Sequence, residues 1–196
     1  GDYKDSKEIY FSYQYDKAIE SERNQRLSEA KEIYLELDGY KDTSSRLKRI
    51  LFSHLEVKDT VLFGHYTQEK EAQPIEWIVL QKEGNRIMLI SRYCLDVQKF
   101  HNAAIDVTWE NSSLRKWLNE TFLNKAFQSS ESKLIATTLV ENPENYRTGT
   151  NCGKDTKDKI YLLNVQEAKT LYLTDEERIA QATSYVIKQK ATVDEA

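Results

Sequence analysis

Near Val57 the apolar residues of this chain change their spacing, and that change limits the possible folds more than any other feature. Before it they recur every three to four positions, as on the buried face of a helix. After it they gather in short β-branched and aromatic runs bounded by Gly, Pro and Asn, as strands do. The chain is therefore expected to be α+β, with a helical-repeat hairpin over 1–56 followed by a small mixed domain over 57–196 that contains an antiparallel hairpin.

The helical part repeats itself. Tyr3-Lys4-Asp5-Ser6 returns as Tyr40-Lys41-Asp42-Thr43 at an offset of 37 residues, a period typical of stacked helical hairpins. A first helix is expected from Asp5 or Ser6, where Asp5 and Glu8 have capping-box spacing, to about Glu22, with Ile9, Tyr10, Tyr13 and Ala18 available for burial. A second carries Leu27, Ala30, Ile33, Tyr34 and Leu37 on one stripe and stops at Gly39, which suits a left-handed C-terminal residue. A third, from about Thr43, aligns Leu47, Ile50, Leu51 and Leu55, with His54 on the same face as an interface histidine. The Gly-Tyr-Lys-Asp-Ser type of junction resembles tetratricopeptide-like repeats that precede certain bacterial domains. A hairpin this short needs neighbours, so it is expected to dock on the next domain here and to end a longer array in the whole protein.

Beyond Val57, a strand is expected at Thr60–Phe63, closed by Gly64, and a second at Ile75–Gln81. The turn Glu83-Gly84-Asn85 leads into a third at Arg86–Ser91, with both faces of this hairpin buried. After a loop from Tyr93 to Ile105, Asn111 or Ser112 caps a helix whose stripe is Leu114, Trp117, Leu118 and Phe122. A helix from Ser129, strands at Ala136–Val140 and Lys159–Leu163, and helices capped by Asn164 and Thr174 complete the pattern, the end of the chain being weakly periodic.

Five ordered motifs carry a resemblance: Pro-Ile-Glu-Trp-Ile-Val-Leu (74–80), Met-Leu-Ile-Ser-Arg-Tyr (88–93), Val-Thr-Trp-Glu-Asn-Ser-Ser-Leu-Arg-Lys-Trp-Leu-Asn (107–119), Phe-Leu-Asn-Lys-Ala-Phe (122–127) and Lys-Ile-Tyr-Leu-Leu-Asn (159–164). Together they resemble an uncharacterised bacterial domain family of unknown function, which is similar in turn to the C-type-lectin-like and formylglycine-generating-enzyme-like group. The resemblance implies a lectin-like domain. It also implies a Trp-rich C-terminal stretch with further strands, which this chain lacks. The domain is accordingly expected to be truncated at its C-terminus, with an apolar sheet edge left open to dimerisation.

Composition removes some functions. A net charge of −4 with 31% charged residues gives no basic stripe for phosphates, so no nucleic-acid partner is expected. No apolar run approaches the length of a membrane span. The compartment is not encoded in these residues. Cys94 and Cys152 read as free thiols without a role, His65 and His101 have no partner at metal-ligand spacing, and no nucleophile elbow occurs. No catalytic residue, metal or cofactor is expected. The polar loop from Asn142 to Asp158 offers Glu144, Asn145, Asn151, Asp155 and Asp158 without calcium-loop order. The expected activity is non-catalytic recognition of a protein or carbohydrate ligand, with Trp109, Asp106, Glu110 and Arg115 as candidate contacts because they stand beside a helix start rather than along its buried stripe. Two other readings stay open: a scaffold in which Trp109 is only a packed side chain, and an oxidase like the formylglycine-generating enzymes.

Overall fold

The computed structural model describes residues 2–172 and 174–189. Helices α1 (Asp2–Arg23), α2 (Leu27–Glu36) and α3 (Thr43–Phe52) form the N-terminal unit, with α2 packed on both of the others. The chain leaves α2 through Gly39, whose φ of +87° is the left-handed turn expected there. The face of α1 differs from the expected one. Ala18 is buried as expected, but Phe11 and Tyr15 point inward with it, whereas Ile9, Tyr10 and Tyr13 lie exposed. The second junction causes this: the Tyr40 ring meets Phe11 and Tyr15 edge-on at 5.6 and 6.0 Å. Tyr40 also donates its hydroxyl to Glu8 at 2.7 Å, and Tyr15 donates to Asp42 at 2.5 Å. His54 lies beyond the end of α3 and is exposed, so it is not on the buried stripe.

Three antiparallel strands follow, β1 (Thr60–Gln68), β2 (Glu71–Glu83) and β3 (Arg86–Ser91), in the order β1-β2-β3. The tight turn through Gly84, at φ +56°, makes the β2–β3 hairpin as expected. Gly64 does not close β1. It occupies a register shift between Leu62 and His65, after which pairing continues to Gln68 opposite Glu71. A Cβ on Gly64 would come within 2.6 Å of the Phe127 ring, so the bulge depends on glycine. The buried Glu131 carboxylate fixes the bulge by accepting the Gly64 amide at 3.2 Å. Pro74 pairs with His65 of β1 but lies before Trp77, where β3 pairing begins, so on the β3 side there is no ladder for a proline to interrupt.

In the remainder, a 3-10 turn (Trp109–Asn111) leads into one helical stretch over 113–126. It starts as α4 (Ser113–Lys116), widens into a π-helical turn (Trp117–Phe122) and ends as α5 (Leu123–Ala126). The short helix α6 (Ser129–Ser132) carries a capping box between Gln128 and Glu131. Strand β5 (Thr138–Val140) pairs antiparallel with β6 (Thr156–Asp158), and β4 (Tyr93–Cys94) pairs parallel with β7 (Gln181–Ala182). Helices α7 (Val165–Thr170), capped by Asn164 as expected, and α8 (Ser184–Lys188) follow, and the helix expected from Thr174 is a single 3-10 turn, Glu176–Arg178, with the Glu177 amide donating to the Thr174 hydroxyl at 3.3 Å. Part of the weakly periodic end, from residue 190 on, lies outside the described residues.

One continuous cluster joins Tyr34, Leu47 and Leu51 of the helical unit to Phe63 and Ile75 of the sheet and to Phe122 and Phe127 of the later helical stretch. The architecture is mixed α+β, with a helical N-terminal region and antiparallel hairpins, in keeping with the change of period at Val57.

Candidate functional site

The segment 106–119 does not project a platform outward; it is fastened to strand β6. Trp109 is buried, with 8% of its surface exposed. Its Nε1 donates to Thr156 Oγ1 at 3.2 Å and to Asp158 Oδ2 at 3.1 Å. Asp158, 2% exposed, also accepts the Arg115 Nε at 2.9 and 3.0 Å and the Thr156 hydroxyl at 2.6 Å. Burial by itself pushes the Asp158 carboxyl up. The hydrogen bonds from Arg115, Thr156 and Trp109, together with the Arg115 charge, outweigh burial and hold the group below the usual carboxylate range.

Local sequence explains how these groups meet. Ser112 caps α4 by accepting the Arg115 amide at 3.1 Å, and this sets Arg115 on the first turn, facing β6. Alternation along β6 places Thr156 and Asp158 on the same face. Glu110 joins through its carbonyl, which accepts Arg115 Nη1 at 3.0 Å, and its carboxylate, which accepts the Lys154 amide at 3.0 Å. Asp106 lies apart, exposed and outside this network. Of the four candidate contacts, Trp109 and Arg115 therefore meet β6, Glu110 joins them through Arg115 and the Lys154 amide just before the strand, and Asp106 stays on the surface.

Two residues outside the candidate set complete the fastening. Asn119, one turn beyond Arg115, accepts the Lys159 and Ile160 amides at 2.8 and 3.2 Å and donates to the Ile160 carbonyl at 2.8 Å. Those bonds divert 159–160 from a ladder, which is why the strand expected at Lys159–Leu163 appears earlier, at Thr156–Asp158. Gly153, at φ +91°, lets the loop pass so close to Thr108 that a Cβ would sit 2.6 Å from the threonine Cβ. The Thr-x-Asp alternation of β6 and the i, i+4 spacing of Arg115 and Asn119 were the available sequence signals for this partner set.

The fastened helix forms one wall of a groove of about 730 Å³. Leu114 and Trp117 stand on that wall, Ile87 and Leu89 of β3 on another, and Leu139 and Leu162 at its mouth. Strand β3 is the sheet edge beside the groove, and its residues after Arg86 are all half-buried rather than buried on both faces. On the far side, among the described residues, Tyr161, Leu162 and Leu163 have no backbone-to-backbone hydrogen bond. The groove is mainly apolar, with Lys48, Glu83, Arg86, Asp96, Lys159 and Glu167 as its charged lining residues. Asp96 is held by the Tyr66 hydroxyl, whose pKa is pushed up by burial and by that carboxylate.

The other candidates have ordinary surroundings. Cys94 Sγ contacts the Ala180 carbonyl at 3.7 Å and Cys152 Sγ the Thr150 carbonyl at 3.5 Å, and neither is in a disulfide. In the polar loop, Asp155 accepts the Asn142 amide at 2.9 Å, and Asp158 is held by Arg115. Among the described residues no helix is long and apolar enough to cross a membrane.

No curated protein and no solved structure matches the chain. Residues 84–194, more than half of the chain and inclusive of β3, the Trp109 segment and β6, match a family model described as a domain of unknown function. The chain belongs to that family, the domain of unknown function DUF6273.

Proposed function

We propose that the chain is a non-catalytic recognition module that binds a polypeptide segment in extended conformation along the free edge of β3. The observation that carries this reading is the conjunction of an edge strand, half-buried after Arg86, with a groove of about 730 Å³ lined mainly by apolar side chains. An edge strand offers unpaired N–H and C=O groups to an added strand, and adjoining pockets select alternate side chains. The groove volume lies in the range of ligand sites. Its apolar walls favour a peptide over a carbohydrate, which would leave many hydroxyls without partners.

In this reading Trp109, Glu110 and Arg115 act as positioning residues. They fix the helix that carries Leu114 and Trp117 against 156–160, while Asp106, exposed and not among the groove's lining residues, has no part in it. A lectin-like arrangement, in which loops and a late part of the domain shape the binding face, and a tetratricopeptide-like hairpin behind it belong to the same proposal. A second copy of the chain offers the same strand, so symmetric pairing of β3 with β3 is the form a homodimer would take.

The test is amide exchange of Arg86–Ser91 with panels of apolar strand-forming peptides and of glycans, across a range of protein concentrations. Protection that a peptide induces, and that Leu139→Asp with Leu162→Asp abolishes, supports the proposal. Protection that rises with protein concentration alone identifies the dimer. Saturable glycan binding that leaves these amides unprotected overturns the peptide reading, and no response to any panel favours a scaffold.

A further inference from the structure

The helical unit carries a second surface, independent of the β3 groove. The 37-residue offset that relates Tyr40-Lys41-Asp42-Thr43 to Tyr3-Lys4-Asp5-Ser6 also relates Leu47 and Ile50 of α3 to Tyr10 and Tyr13 of α1. The two pairs have opposite environments. In α3, which packs on α2, Leu47 is 1% exposed and Ile50 half-buried. In α1 the equivalent Tyr10 and Tyr13 are 52% and 67% exposed, and neighbouring Ile9 is 70% exposed.

We propose that this face of α1 docks a further helical hairpin of the same 37-residue type, whose second helix covers Tyr10 and Tyr13 as α2 covers Leu47 and Ile50. The argument is continuity with an interface already formed within the chain. At the second junction, Asp42 and Tyr40 reach back to Tyr15, Phe11 and Glu8 of the preceding first helix, and Arg46 reaches Glu22 at 3.0 Å. The occupant is thus specified chemically. It offers an apolar second-helix stripe like Ala30, Ile33, Tyr34 and Leu37, and a first helix bearing a carboxylate and aromatics spaced like Glu8, Phe11 and Tyr15. Stacked units of this kind bury their faces only against like neighbours, so an open face selects a like partner.

The experiment places a copy of residues 3–39 directly before Tyr3 of the full chain, so that the period continues without a break. Hydroxyl-radical footprinting and amide exchange are read on α1 in the original and extended chains. The expected result is that Tyr10 and Tyr13 fall to the reactivity of buried Tyr34 and that the α1 amides exchange roughly tenfold more slowly or better. Tyr10→Asp with Tyr13→Asp, at positions exposed in the original chain, should remove that protection in the extended chain while leaving the original chain folded. If the added hairpin is helical by circular dichroism but Tyr10 and Tyr13 stay as reactive as before, the proposal is wrong. An added hairpin that stays unfolded overturns it equally, because docking is what would order it.

Discussion

Replacing Arg115 by alanine tests whether the Trp109 segment is held to β6 by charge. The substitution leaves the Asp158 carboxylate, 2% exposed, with only the Thr156 hydroxyl and the Trp109 indole as donors. Removing one partner of a buried pair costs about 3 to 5 kcal/mol, because the remaining charge is stranded in a poorly polarisable interior. For a chain of this length that is a loss of roughly 6 to 20 °C in melting temperature. Asp158→Asn should cost less, about 1 to 3 kcal/mol, since Arg115 keeps 29% of its side chain in water and can be solvated there. The pH dependence supplies an independent check. The folded pKa of Asp158 is depressed, so its stabilisation is complete above the unfolded value near 3.9 and is lost as pH falls through the folded value. The gap between the original chain and Arg115→Ala should therefore be widest near neutrality and narrow in acid, as the stranded carboxylate takes up a proton. Urea unfolding followed by tryptophan fluorescence at pH 7 and at pH 4 measures both. A gap under about 1 kcal/mol at pH 7, the size of an exposed pair, or one that does not change with pH, would refute the reasoning.

Three further outcomes are expected from the same unfolding assay. Trp109→Ala should cost roughly 3 to 5 kcal/mol as a truncated core aromatic, and near-neutral behaviour would mean that the indole is not packed as described. Gly153→Ala should be destabilising by about 1 to 3 kcal/mol, combining a left-handed backbone with a clash against Thr108; Thr108→Gly in the same chain should recover only the part due to the clash. Asn119→Ala leaves the Lys159 and Ile160 amides without their acceptor and should cost about 1 to 3 kcal/mol, with faster exchange of those two amides as the specific sign.

The parts legible in the sequence were those set by local rules. Periodicity placed α2 and α3, Gly84 placed the β2–β3 turn, and Asn164 with Glu167 placed the start of α7, because in each case the deciding contact is within a few residues. Long-range partners overrode local rules elsewhere. Gly64 looks like a strand end, yet its neighbours across the core are Phe127 and Glu131, and these make it a bulge. Ile9, Tyr10 and Tyr13 look like a core stripe, but the second junction turned Phe11 and Tyr15 inward instead. The partner of Arg115 was hardest to foresee: Asp158 sits 43 residues away in a loop-like polar stretch, where composition gives no sign of burial.

The widened turn at Trp117–Phe122 also limits how the chain can change in length. A π-helical turn closes its hydrogen bonds one residue later than an α-helix and so takes up one extra residue within nearly the same rotation, which keeps α5 in phase with α4. Deleting one residue there would restore a regular helix while leaving Leu123, Ala126 and Phe127 buried in the core. A second deletion would find no such slack: it would rotate everything after it by about 100°, keeping the link to β6 and losing the packing on the sheet. In this part of the chain the number of residues, as much as their identity, decides which side of the helix meets the core.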